Sequence, residues 1–368
     1  MDDSNTCYNH GFKRKFDDVG SSYGTAVNLP SSVSTWTLKN LTDIGLYYSR
    51  TGFYSPVELL NSVPQVCKHI SDKCEDKIDY LTRNLDFELE IATKGLFDKP
   101  ERRVDIAERL IKMLQLNLDR LDNEDAEMSS KGYEYSNMYT SARYLIFQVK
   151  DYIIREFYHQ ASYKQFFTDM MKKFGEMFSF LSESGASIKR VLEIGGCTVV
   201  SYPDIRFRLT NNSLDLRKSD WIETMVTVAE IKQLKNNAAS RNMCKTAKST
   251  SLSFVSSTFE TQNQSDEEFN ICDYLSDEVL GRHGGELLVE FKNAETCPHI
   301  IGIIVIGSKV IVTSLKLTDT MYRDIIENGK LTGSDAVSIN YCKPLDMFVP
   351  EDRKILYEVF FRLSKTCC

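Results

Sequence analysis

Val199-Val200-Ser201-Tyr202-Pro203-Asp204-Ile205-Arg206-Phe207-Arg208-Leu209 and, further on, Met225-Val226-Thr227-Val228-Ala229-Glu230-Ile231-Lys232 are the two stretches on which the reading of this chain turns. In the first, alternation with a period of two sets Ile205, Phe207 and Leu209 on one face and Asp204, Arg206 and Arg208 on the other. That pattern predicts a strand with one core face and one site face. The second is β-branched enough for an interior strand, and Glu230 and Lys232, two residues apart, project from the same side of it. Charges at these positions interrupt runs that should bury hydrocarbon, which calls for a chemical reason.

Around these stretches the chain divides by composition. Residues 1–35 mix Asp, Ser, Gly and Asn with few large apolar side chains, too little burial to offset the entropy of ordering, and are expected to be a flexible tail. Residues 36–162 read as a helical domain. Ser55-Pro56-Val57-Glu58 is a helix start with a Ser cap and Pro in the first turn. Leu110, Leu114, Leu118 and Leu121 form a stripe along a helix opened by Pro100, and a further helix runs from Ser141 to about His159. From Tyr163 to Glu183 the Met and Phe residues recur at helical spacing and predict a core-facing helix. At Ser184-Gly185-Ala186-Ser187 the period changes to alternation. Ile188 to Ile194, a Gly195-Gly196 turn and Cys197 to Leu209 then read as an antiparallel hairpin whose second strand carries Asp204.

Residues 163–368 are therefore expected to be an α/β domain, with a flexible loop over 240–265 where Ser, Thr, Asn and Gln accumulate. Beyond it, Asp266 to Phe291 is mainly helical, interrupted at Gly281, Gly284 and Gly285. Ile300 to Ile306 and Val310 to Leu315 form an apolar hairpin buried on both faces. Thr318 to Asn328 and Pro350 to Lys365 close the chain as helices.

The bulk properties exclude little. The 368 residues are 42% hydrophobic and 26% charged, with a net charge of -7, an ordinary globular balance that still permits a local basic surface. No stretch approaches the length of a membrane span, so an intracellular protein, nuclear or cytoplasmic, is expected. Ten cysteines without paired spacing and five dispersed histidines predict reduced thiols and no zinc site. Cys367-Cys368 reads as two thiols on a tail, and Lys13-Arg14-Lys15 as solvated charge.

Pro203-Asp204 and Glu230-x-Lys232, in the order helix, hairpin, strand, helix, strand, resemble the motif of the PD-(D/E)xK nuclease superfamily, over residues 163 to 328. The resemblance implies a restriction-endonuclease-like αβββαβ core, with a central mixed sheet flanked by helices, after the N-terminal helical region. It implies Asp204 and Glu230 as ligands of Mg²⁺ or Mn²⁺, the main-chain carbonyl of Ile231 as a further ligand, and Lys232 as the catalytic lysine. An acid from the preceding helix is added in such proteins, and Glu176 is favoured over Glu183. The chemistry is coherent: phosphodiester hydrolysis needs an activated water and a clamp on developing negative charge, which carboxylate-held cations and a lysine supply.

DNA or RNA is then the expected partner, with Arg206, Arg208, Lys235, Arg241 and Lys245 as backbone contacts, the last three in an acid-free basic segment. The alternative is a catalytically inactive nuclease-fold module that binds nucleic acid or protein, and the helical region could also serve a homo-oligomer or a protein partner. Glu290-Phe291-Lys292, a second tripeptide of the same form, is expected to be a solvated helix end, with Glu286 and His283 nearby as outside candidates.

Overall fold

The long apolar run His299–Ile306 is the centre of the sheet: all eight of its residues are buried, as a strand covered on both faces must be. A computed structural model of the chain describes residues 28–50, 52–53, 55–89, 100–157, 163–184, 189–209, 224–229, 269–294, 296–332 and 336–364. In chain order the helices are α1 (Leu38–Asp43), α2 (Pro56–Asn61), α3 (Asp72–Asn84), α4 (Pro100–Ser130), α5 (Tyr133–Phe157), α6 (Tyr163–Glu176), α7 (Ile271–Tyr274), α8 (Asp277–Glu290), α9 (Asp319–Asn328) and α10 (Pro350–Leu363). The strands are β1 (Leu46–Tyr48), β2 (Phe180–Glu183), β3 (Arg190–Ile194), β4 (Cys197–Ser201), β5 (Ile205–Leu209), β6 (Thr224–Ala229), β7 (His299–Ile306), β8 (Lys309–Lys316), β9 (Val337–Tyr341) and β10 (Leu345–Asp346).

The main sheet runs β1-β9-β8-β7-β6-β5-β2, with β10 added on β8. Strands β2, β5 and β6 form an antiparallel series, and β7 lies parallel to β6. A parallel neighbour requires a crossover, and the connection from β6 to β7 includes α8, which packs on both strands. Helices α6 and α10 cover the opposite face, where Phe207 of β5 meets Phe360 of α10 and Phe174 of α6 packs edge-on against the same ring. The protein is thus a mixed α/β fold with a central mixed sheet between helices. No described helix is long and apolar enough to cross a membrane.

Local chemistry accounts for several boundaries. The Ser55 hydroxyl accepts from the Val57 N–H and Pro56 occupies the first turn of α2, as the sequence predicts. Gly195 and Gly196 take φ of 55° and 81°, the mirror-image turn that a two-residue hairpin needs, and they join β3 to β4.

Several expectations are corrected. The tail does not reach residue 35: Leu29, Val33 and Trp36 are buried, and the Val200 N–H donates to the Ser31 carbonyl. Residues 36–162 do not stand apart as a helical domain, since β1 extends the main sheet along β9 and α1 packs on α8. The helix beginning at Tyr163 ends at Glu176, and Ser179, with φ of 65°, turns the chain into β2, which replaces the expected last helical turn. Cys197 to Leu209 is two strands in different sheets, so the Pro203-Asp204 pair marks the joint between them and is not interior to a hairpin strand.

The glycines of α8 do not interrupt it; they let it seat. A Cβ at Gly281 would lie 2.2 Å from the Thr37 carbonyl carbon, and one at Gly285 would lie 2.7 Å from both Trp36 and Val33. The N-terminal segment is therefore pressed against the crossover helix closely enough to exclude any side chain. Gly281→Ala is expected to destabilise the protein by about 1–3 kcal/mol or more through overpacking, read as a lower urea midpoint.

Candidate functional site

The polar face of β5 turns towards α8, not towards solvent. On that helix Arg282, Glu286 and Glu290 recur every four residues and so form one stripe. Opposite them, Asp204 and Arg206 share a face of the strand entry by alternation. The result is a charged seam between strand and helix. The Arg282 guanidinium donates from Nη2 to Asp204 Oδ2 at 2.8 Å and from Nε to Glu286 Oε1 at 2.8 Å. Lys164, in the first turn of α6, approaches Asp204 Oδ1 at 2.9 Å. Both carboxylate oxygens of Asp204 thus have a cationic partner, and its side chain is 14% exposed.

Deeper in the seam, Arg206 is bonded through Nη2 to Glu290 Oε1, and Arg190 of β3 lies 3.4 Å from the other oxygen of Glu290. Arg206 is 1% exposed and Glu290 0%. Glu183 of β2 takes a 2.9 Å hydrogen bond from Arg208 and stands 4.0 Å from Arg206. Charges withdrawn this far from water are tolerated only when paired, and Arg206 and Glu290 meet that condition through each other.

Burial opposes the charge of Arg282, but Glu286 and Asp204 outweigh it and hold its pKa above that of an ordinary arginine. Beside it, His283 is enclosed with Nε2 2.7 Å from the Thr313 hydroxyl. Burial, assisted by the Arg282 charge, pushes its pKa down to about 3, so it is neutral and structural in the folded protein.

The predicted site residues divide accordingly. Asp204 lies at the entry of β5, next to α8 and the start of α6. Glu230, Ile231, Lys232, Lys235, Arg241 and Lys245, with the 240–265 loop, lie outside the described residues. Position 230 follows directly on Ala229, the last residue of β6. Because β5 and β6 are antiparallel, the entry of β5 and the exit of β6 share one end of the sheet.

Glu176 is separated from Asp204. It closes α6 and bonds Lys173 and Ser182, whereas Lys164, the residue that holds Asp204, is twelve residues back along the helix. That corresponds to about 18 Å at 1.5 Å per residue. Glu183, the acid not favoured from sequence, is nearer the seam, through Arg206 and Arg208. Arg206 is buried in an ion pair and Arg208 is held by Glu183, so neither is presented to a phosphate backbone as the alternating pattern predicts. Glu290 is a buried anchor and not a solvated helix end. Sequence reasoning missed Lys164 and Arg282; the signal for Arg282 was the Arg282, Glu286, Glu290 spacing, hidden because glycines masked the helix.

Among the described residues no group of three or more His, Cys, Asp or Glu side chains is arranged to hold a metal. Comparison of the chain with models of protein families, with curated proteins and with solved structures finds no match.

Two outcomes test this electrostatic reading. Glu290→Ala leaves Arg206 buried without its partner and is expected to cost about 3–5 kcal/mol, with much of the loss recovered in the Arg206→Met, Glu290→Leu double variant, measured by urea unfolding. Because the pKa of His283 is depressed on folding, the unfolded chain binds the extra proton. Its contribution to stability is full above about pH 6.5 and is lost as pH falls toward 3, at up to about 1.4 kcal/mol per pH unit. His283→Gln should flatten the stability profile over that interval relative to the parent; superimposable slopes would show that the imidazole does not titrate with unfolding.

Proposed function

We propose that the chain is a metal-dependent phosphodiesterase of the PD-(D/E)xK type, acting on DNA or RNA and built on a restriction-endonuclease-like core. The observation that carries this reading is topological. Helix α6, the antiparallel series β2, β5 and β6, helix α8 and the parallel strand β7 follow the order αβββαβ. Within it, Asp204 enters the middle strand and Glu230 follows the third at the same end of the sheet. The β3–β4 hairpin is then an insertion between the first two core strands.

The chemistry of Asp204 fits a divalent cation. It is a partly accessible carboxylate that gathers two unit positive charges, from Lys164 and Arg282, which is the charge such an ion brings. Asp204, Glu230 and the Ile231 carbonyl would hold Mg²⁺ or Mn²⁺, and the bound ion would supply an acidified water and a Lewis acid for the phosphoryl oxygens. Lys232 adds a fixed positive charge where the transition state gathers negative charge.

The reading makes one demand on the strand. Arg206 pairs with Met225, so position 204 lies across from position 227, and position 230 carries the opposite parity. Glu230 shares the face of Asp204 only if one residue of offset, a bulge of the kind found beside active sites, intervenes at the exit of β6.

A second reading keeps the same core as a binding module without chemistry. It is favoured by the two cations already engaged on Asp204. Cleavage of end-labelled DNA and RNA in Mn²⁺ separates the two. The parent should cut, and Asp204→Ala, Glu230→Ala and Lys232→Ala should each lose at least about 100-fold in rate. Equal rates in parent and variants would assign the activity to a contaminant, and a folded, silent parent that still binds nucleic acid would establish the module.

A further inference from the structure

We propose that the outward face of α5 is a self-association surface, on which two copies of the chain pair about a two-fold axis with their α5 helices antiparallel. The proposal is independent of the nuclease reading, since no group of the charged seam or of the motif takes part in it.

Helix α5 packs against both α4 and α6. On one flank Asp122 and Gln115 of α4 meet its Arg143 and Lys150, and on the other the Lys173 ammonium of α6 stands 5.2 Å from the Tyr144 ring. Between these flanks an outward strip is left, with Thr140, Tyr144, Phe147, Asp151 and Ile154 at alternating spacings of four and three residues, which keep them on one side of a helix. Tyr144, Phe147 and Ile154 are 51%, 43% and 37% exposed, and with Tyr133 they make up four of the ten large apolar side chains exposed among the described residues. Such a concentration on one helix marks an interaction surface, whereas apolar residues exposed singly need no partner.

The charges on the strip select its occupant. Arg143, Phe147 and Asp151 are four residues apart and form one ridge, with a cation at one end, an aromatic ring in the middle and an anion at the other. Reversed, this ridge is its own complement. When two copies lie with α5 antiparallel and these ridges side by side, positions equally far before and after Phe147 come together, so each Arg143 meets the Asp151 of the other copy and the two Phe147 rings share the centre. The same register sets Lys150 beside Tyr144 of the other copy, a cation against an aromatic ring. Within one copy Arg143 Nε is 3.0 Å from Asp122 Oδ1 and Arg155 Nε is 2.6 Å from Asp151 Oδ2, and all four side chains are at least 43% exposed. Pairing joins them into a row of alternating sign, Asp122, Arg143, Asp151 and Arg155, repeated by the two-fold axis. Arg143, Lys150 and Arg155 are offset by Asp119, Asp122 and Asp151, so the strip offers a polyanion no net positive charge. An unrelated protein would not require the symmetry of the ridge, and a second copy does.

Sedimentation velocity of the full chain over a concentration series tests this. The parent is expected to show an equilibrium between monomer and dimer, and Phe147→Glu should abolish it. Arg143→Asp and Asp151→Arg each bring like charges together at two symmetry-related points and should raise the dimer dissociation constant by at least about tenfold. An equimolar mixture of these two variants restores opposite charges at both points, and the mixed dimer should form with a dissociation constant within about threefold of the parent's. Urea midpoints close to the parent's are expected throughout, because the substituted positions are exposed; a variant that does not fold is replaced by Arg143→Glu or Asp151→Lys in the same scheme. A parent that stays monomeric at every concentration overturns the proposal, and so does a dimer insensitive to all three substitutions, which would place the contact elsewhere. Charge variants that weaken the dimer singly but do not recover on mixing overturn the antiparallel register.

Discussion

The ion pair between Arg206 on the middle strand and Glu290 at the end of the crossover helix is the constraint on which the arrangement of this protein depends. The two side chains keep 2% and 0% of their exposure, so neither charge could be left there alone. An unpaired member would cost about 3–5 kcal/mol, against a total stability for a folded protein of about 5–15 kcal/mol. The pair therefore specifies which register of strand and helix is acceptable. A one-residue slip of β5 would turn Arg206 into the aromatic layer of Phe174, Phe180 and Phe360 and turn Phe207 into the charges of α8. Once that register holds, Asp204 is brought to Arg282 as a consequence, two residues along the strand and two helical turns along α8.

Close packing on the far side of α8 serves the same end. Trp36, Val33 and Thr37 lie where side chains on Gly285 and Gly281 would be, so the N-terminal segment clamps the helix while the charged seam aligns it. The segment 36–61 belongs to this body through α1, β1 and α2. Arg353 adds a comparable anchor elsewhere: its guanidinium donates to the carbonyls of Leu85, Phe87 and Met347, tying the end of α3 to α10.

Much of this was legible in the sequence, and the failures have identifiable causes. The hairpin around Gly307, the Ser55 cap and the core-facing Met and Phe residues of α6 follow directly from periodicity and turn chemistry. Strand β2 was missed because Phe180 and Leu181 continue a helical apolar pattern, and only the left-handed Ser179 breaks it. Arg206 and Arg208 were expected at a nucleic-acid surface because alternation separates two faces but does not say what covers the polar one. Here a helix covers it, and that helix was disguised by glycines whose role is close approach. Strand β9 alternates as a strand with one covered face does, Val337, Ile339 and Tyr341 being buried, and it lies between β1 and β8. The motif acids were readable as residue types, while the partners of Asp204 come from elements distant in sequence and could not be.

The functional account requires Asp204 and Glu230 to share one cation at the end of the sheet. Crystals of the full chain soaked in Mn²⁺ and measured at the manganese absorption edge test this most directly. The account predicts one anomalous peak at a coordination distance of about 2.0–2.3 Å from carboxylate oxygens of both Asp204 and Glu230. A structure in which Lys164 and Arg282 remain on Asp204 and Glu230 points to the opposite face of the sheet, with no peak between the two acids, would contradict it.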